Sequence, residues 1–263
     1  MRSPAWHDLT RGVWPFERHP EVGDAFDRAA ARLEAARSGD LLPFFAWLAA
    51  RYSRWTDDVP ASERYHHARP FGLLIHSAET VDRAFAIRGS LMNSFDPGWH
   101  PVLLILALLH DCGRLFDVVV HDPCLDDFWD PLRMPLHLFR ETRFIPEGTP
   151  ARWRAGRGVD GHEWRSLDLL PVLLGDTYSG DFRSRLDAAW IKYLTRFRRK
   201  DILSDHYPFA VGRLVASADQ LSVQADRHRP PPEAQANAPV RYHQTPPGTR
   251  THFFPRFGGG CTG

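Results

Sequence analysis

Apolar positions recur along this chain at three- and four-residue intervals, the spacing of one helix face, and nowhere in the sustained alternation of a half-buried strand. Glu21 to Arg37 is alanine-rich and amphipathic, and Leu41 to Trp55 carries Phe44, Phe45 and Leu48 at helical spacing. Pro60 breaks the pattern, and Ala61 to Pro70 reads as a polar, histidine-bearing connection. A helix from Phe71 to Met92 holds Leu73, Leu74, Ala78, Val81, Phe85 and Ile87, and the turn chemistry of Asn93 to Gly98 ends it. Pro101 to Leu115 contains the unbroken run Val102 to Leu109, open to reading as a buried strand or a buried helix; its length and Gly113 favour the helix. Prolines at 123, 131, 135, 146 and 150 divide residues 116 to 160 into short helices or a small hairpin packed over the site. Helical spacing resumes at Glu163 to Leu174, Phe182 to Arg198 and Pro208 to Gln224.

These elements predict an all-α bundle with a small irregular or short-hairpin insertion. Residues 1–39 form an amino-terminal extension whose first 19 residues read as an irregular lead-in, stapled to the core by Trp6, Trp14 and Phe16. Residues 40–227 form the helical domain. Residues 228–263, with RPPPEAQANAPV, QTPPGTR and FGGG, have the composition of a flexible tail.

Composition narrows the picture only slightly. The 263 residues carry 33 Lys and Arg against 32 Asp and Glu, so contact with nucleic acid has to come from local patches rather than net charge. Lys192 and Lys200 are the only lysines, which reflects either arginine's fit to phosphate or a GC-rich genome. Cys112, Cys124 and Cys261 form no CxxC pair, which argues against a zinc knuckle or a disulfide framework. The amino terminus lacks the apolar core of a signal peptide, and Val102 to Leu109 is far short of the roughly 20 residues that span a bilayer. A cytoplasmic protein with no membrane segment is the expectation.

The informative residues are histidines and aspartates inside apolar helices. His76 lies within Phe71-Gly-Leu-Leu-Ile-His-Ser-Ala-Glu79, His110-Asp111 closes the most apolar helix, and Asp219 lies within Leu214 to Ser222. Burying an imidazole beside a carboxylate costs several kcal/mol unless charge is compensated, and a divalent cation is the simplest compensation. A lone core histidine is more often a hydrogen-bonded structural residue than a ligand. The ordered set His, His-Asp, Asp on three apolar helices weighs the other way. Imidazole with carboxylate suits manganese, iron, nickel, cobalt or zinc better than calcium.

That order resembles the HD superfamily, whose signature is a histidine, a later His-Asp doublet and a distal aspartate on a helical bundle. Ala107-Leu-Leu-His-Asp-Cys-Gly-Arg114 is similar to the family's apolar-apolar-His-Asp-x-Gly-Lys run, with Arg114 in place of lysine and a glycine that lets the chain leave the helix. Pro60 to His76 resembles the opening of the HD domain of conjugative relaxases of the MobH (TraI-like) class. Phe128-Trp-Asp-Pro-Leu132 with Leu136, and Trp153 to Arg157 leading to His162-Glu163, agree with it. The likeness covers roughly residues 40 to 225. Tyr65 stands where a third histidine is common, and Phe71 replaces the first of two glycines.

The resemblance implies an HD-type fold and a metal-dependent phosphohydrolase binding one or two divalent ions, with manganese, iron, nickel, cobalt, zinc and magnesium all compatible. It makes His76, His110, Asp111 and Asp219 metal ligands and brings in His67 and His162 for a second ion or the substrate phosphate. Asp111, Arg114 and His162 take catalytic roles, and His66, Arg114 and Arg157 contact substrate. Adjacent histidines on a loop point apart, so one of His66 and His67 faces the site and the other supports it. For His162 the bland reading is a capping residue of the helix from Glu163.

Three readings follow. The first is a relaxase-like nickase of single-stranded DNA at an origin of transfer, working with conjugation-machinery proteins. The second is an HD enzyme that hydrolyses nucleotides or cyclic dinucleotides. The third is a noncatalytic DNA-binding or assembly module. Tyr65 is the best-placed tyrosine for a covalent step, although a tyrosine beside two histidines is more often structural. Arg183, Arg185, Lys192, Arg196, Arg198, Arg199 and Lys200 form either a phosphate-tracking patch, with Trp190 and Tyr193 for stacking, or a solvated helix face.

Overall fold

The computed structural model describes residues 4–13, 15–91, 95–122, 124–146, 149, 151–154, 161–195 and 207–228. The fold is all-α. Its helices are α1 (Pro4–Thr10), α2 (Pro20–Ala35), α3 (Leu42–Thr56), α4 (Gly72–Leu91), α5 (His100–Leu109), α6 (Leu136–Thr142), α7 (His162–Leu174), α8 (Gly180–Leu194) and α9 (Tyr207–Arg227). A 3-10 run, Cys112–Asp117, continues the chain beyond α5.

The ambiguous run Val102 to Leu109 is helix, and every one of its side chains is fully buried. A helix apolar all round has no solvent face to offer, so it becomes the axis of the bundle. Asp96 accepts a hydrogen bond from Gly98 N–H (2.9 Å) in the turn before it, and Pro101 sits in its first turn. Helix α4 packs on α2 on one side and on α9 and α5 on the others, while α8 and α9 pack together. Gly212 permits that last approach, because a Cβ there would lie 2.7 Å from the backbone nitrogen of Tyr193.

The start of the chain departs from the expected irregular lead-in. Residues 4–10 form α1, and Trp6 is buried against Phe26 and Phe45 at centroid distances of 6.0 and 4.9 Å, with Phe16 edge-on at 5.9 Å. The helix is stabilised by where Trp6 goes, and seven residues are too few to show a period. Trp6 and Phe16 do anchor the segment, and α1 and α2 enter the same core as the later helices. Trp14 lies outside the described residues.

Among the described residues the insertion contains two antiparallel pairs, β1 (Val118–Val119) with β4 (Arg152–Trp153) and β2 (His121–Asp122) with β3 (Asp127–Phe128). Arg140 on α6, almost fully buried, binds Asp57 and Asp58 at the end of α3 and donates to Thr149 O (2.7 Å), fastening the insertion to the bundle. Among the described residues no helix is long and apolar enough to cross a membrane. The helix expected from Phe182 to Arg198 runs instead from Gly180 to Leu194, and Arg196 to Lys200, like the tail beyond His228, lie outside the described residues.

Candidate metal centre

Three helices bring His76, the His110-Asp111 doublet and Asp219 to one point. His76 lies on α4, His110 and Asp111 follow directly on α5, and Asp219 lies on α9. His76 Nε2 is 3.2 Å from His110 Nε2, 3.4 Å from Asp219 Oδ1 and 3.8 Å from Asp111 Oδ2. His110 Nε2 lies 3.9 Å from Asp219 Oδ1 and 4.0 Å from Asp111 Oδ2. Ligand atoms around a tetrahedral cation with bonds of about 2.0–2.2 Å stand roughly 3.3–3.6 Å apart, and His76 Nε2, His110 Nε2 and Asp111 Oδ2, separated by 3.2, 3.8 and 4.0 Å, are near that spacing.

Hydrogen bonding on the far side of each ring makes the two Nε2 atoms acceptors. His110 Nδ1 donates to Ala107 O (2.9 Å), which leaves Nε2 with a lone pair. Ser222 donates its hydroxyl to Glu79 Oε2 (3.0 Å), so His76 Nδ1 donates to Ser222 Oγ (3.1 Å) and its Nε2 also carries a lone pair. Two imidazole lone pairs in a fully buried space, flanked by carboxylate oxygens, are mutually repulsive without a positive centre between them. His76, His110 and Asp111 thus form a group that could hold a metal ion, and the donor set suits one.

The doublet is held from the other side by α7. Ser166 Oγ accepts from Gly113 N–H (2.8 Å) and lies 3.1 Å from His110 O and 3.2 Å from His162 O, to one of which it donates. Gly113 was expected to let the chain leave the helix, yet it has no positive φ. Its role is steric: a Cβ there would lie 1.7 Å from His162 O. This close approach sets His162 Nε2 3.4 Å from Asp111 Oδ1, with no well-formed hydrogen bond, while its Nδ1 is 4.0 Å from Asp117. His162 is not a cap. Gly161 holds that position, and the imidazole points at the doublet.

Asp111 therefore faces two ways, Oδ2 toward His76 and His110 and Oδ1 toward His162. Burial works to raise its pKa, but Arg114, His110 and His162 together hold it well below the usual carboxylate range. Asp219 is likewise held down against burial by His76 and His110, and burial depresses His110 itself. Arg114 Nε binds Asp111 Oδ2 at 2.7 Å, so the arginine expected to meet substrate is first the doublet's counter-ion.

The loop before α4 supplies a second histidine group, His66 and His67 with His76, whose ligating atoms also fit a metal. Ring centroids of His66 and His67 lie 5.0 and 5.1 Å from His76. His67 is the supporting member: it is fully buried, its Nε2 is committed to Glu79 Oε2 (3.1 Å), and its backbone N–H donates to Asp226 (2.6 Å). Half-buried His66 is the member beside the site, and burial with nearby His76 and Arg114 lowers its pKa to about 4. His67 and His162 thus stand against different ligands rather than side by side. Gly72 admits the loop, since a Cβ there would lie 1.9 Å from His67 O.

Arg157 lies outside the described residues. Trp190 and Tyr193, considered for base stacking, are core residues at 0% and 1% exposure, and Tyr193 packs edge-on to His110 at 5.8 Å. Arg183 and Arg185 pair with Asp187 and Asp181 along α8, the pattern of a solvated helix face. Sequence reasoning missed Glu79, Ser166, Ser222 and Asp226, whose polar side chains recur at helical spacing from the ligands but carry no motif. Neither protein-family models, nor curated proteins, nor solved structures yield a match to this chain.

Proposed function

We propose that this protein is a metal-dependent phosphodiester hydrolase of the HD type, relaxase-like in acting on single-stranded DNA. The observation that carries the reading is the pair of Nε2 lone pairs held 3.2 Å apart between Asp111 and Asp219. His76, His110, Asp111 and Asp219 would hold a divalent cation, which supplies Lewis acidity toward a phosphate ester and acidifies a water. Arg114 keeps Asp111 ionised, and its guanidinium, 2.7 Å from Asp111 Oδ2, stands beside the centre to meet a phosphate oxygen. His162, with Nε2 free of a formed hydrogen bond beside Asp111 Oδ1, takes the proton of the attacking water. The sequence likeness of Pro60 to His76 to conjugative relaxases is what favours DNA over free nucleotides.

The test is metal content and hydrolysis measured together, on single-stranded oligonucleotides and on nucleotides and cyclic dinucleotides in parallel. His110→Ala and Asp111→Ala should lose both metal and activity, and full activity in either ends the proposal. Tyr65, on the loop beside His66, is 82% exposed. Tyr65→Phe separates the mechanisms: retained cleavage means hydrolysis, and loss of a covalent DNA adduct means a tyrosine nucleophile. Turnover of nucleotides without DNA cleavage would transfer the site to the small-molecule reading.

A further inference from the structure

Behind the ligands lies one buried carboxylate that touches both histidine groups. Glu79 is on α4, one turn beyond His76, and only 5% exposed. Its Oε2 accepts from Ser222 Oγ–H (3.0 Å), which in turn accepts from His76 Nδ1–H (3.1 Å), and it accepts directly from His67 Nε2–H (3.1 Å). Its Oε1 faces Arg28 on α2 at 3.6 Å, which offsets the charge from the solvent side. A single anion therefore fixes two tautomers. His76 is obliged to present Nε2 toward His110, and His67 to present Nδ1 toward His66, 3.5 Å away.

We propose that Glu79 is the positioning residue shared by the two histidine groups, so that the cation affinity of both depends on it, whereas Ser222 serves His76 alone. The inference rests on the metal reading given above. A carboxylate behind a ligating imidazole fixes its orientation and raises its basicity, and losing such a partner weakens metal affinity roughly 10- to 100-fold. Ser222 relays the interaction to one ring, so its loss frees His76 and leaves His67 fixed by Glu79.

The experiment uses the full chain stripped of metal, with Mn(II) as the titrant, and compares wild type, Glu79→Gln and Ser222→Ala. Long-range 15N–1H spectra of the apo protein should show His76 protonated on Nδ1 and His67 on Nε2. Glu79→Gln should blur both assignments and weaken Mn(II) binding roughly 10- to 100-fold. Ser222→Ala should disturb His76 only and weaken binding roughly 10-fold. Should Glu79→Gln not fold, Ser222→Ala with an unchanged His76 tautomer still overturns the proposal. Wild type that binds Mn(II) while Glu79→Gln binds equally well overturns this inference alone. Wild type that takes up no cation overturns the metal reading and this inference with it.

Discussion

Gly113 lies against the carbonyl of His162 so closely that a single methyl group on its Cα would stand 1.7 Å from that oxygen and 2.7 Å from Ser166 N. Both obstacles are backbone atoms of α7, which cannot swing aside as a side chain could. Gly113→Ala should therefore force α7 away from the doublet and destabilise the fold by about 1–3 kcal/mol, the usual range for overpacking. Because His162 and Asp111 move apart together, metal affinity should fall with stability. Thermal unfolding and metal titration check this, and an unchanged midpoint would show that the close approach is not there.

The same contact shows what a linear reading can and cannot reach. The glycine was legible as special beside His110-Asp111, but its reason was not, because the atom it avoids belongs to a residue 49 positions away, at His162. His76, His110, Asp111 and Asp219 could be picked out because a polar group in an apolar helix contradicts its surroundings. Ser166 and Ser222 contradict nothing, since a serine is ordinary on any helix, and only the packing of α7 and α9 reveals what they hold. Helix spacing likewise predicted α2 to α4 and α7 to α9 within a few residues; α5 was legible from the length of its apolar run rather than its period and ends at Leu109, six residues before the expected Leu115, while α1 escaped because its stability comes from Trp6 among Phe16, Phe26 and Phe45.

Cation binding should stabilise the folded chain, since the lone pairs of His76 and His110 converge only in that state. A divalent ion at about 100 times its dissociation constant adds roughly 2.7 kcal/mol. For a chain of this size that raises the unfolding midpoint by roughly 5–10 °C. Scanning calorimetry of chelator-treated protein before and after adding Mn(II) or Zn(II) measures it. The shift should vanish in His110→Ala. A shift of equal size in that variant would mean that the ion binds elsewhere.

Phe71 occupies a backbone position with φ of 61°, the left-handed region, where a side chain costs about 1–2 kcal/mol and glycine costs little. Its ring recovers part of that by packing on His19, with centroids 3.9 Å apart. Phe71→Ala should lose the ring contact and keep the strain, whereas Phe71→Gly loses the contact and relieves it. The glycine variant should therefore be the more stable of the two by about 1 kcal/mol in denaturant titration. The opposite order would mean that the left-handed backbone here costs less than the freedom glycine adds to the unfolded chain.

His100 offers a pH test well separated from the candidate centre. Its Nδ1 bonds Ser38 Oγ at 2.8 Å, its Nε2 accepts from Arg88, and Phe85 and Phe95 cover its faces. Burial first, and then the Arg88 cation, lower its pKa to about 4 against the partial opposition of Asp40 and Asp96. The unfolded chain takes up this proton near pH 6.5, the folded chain only near 4, so between those values unfolding binds a proton and stability falls as pH falls. The contribution is whole above pH 6.5 and lost progressively toward pH 4. His100→Gln cannot titrate. Carboxylates that protonate over the same range act in both proteins and cancel in the comparison. Denaturant titrations at pH 7.5, 6, 5 and 4.5 should show any advantage of wild type over His100→Gln narrowing steadily as the solution is acidified. A difference that stays constant across the series would mean that His100 keeps its ordinary affinity for the proton and that Arg88 does not press upon it.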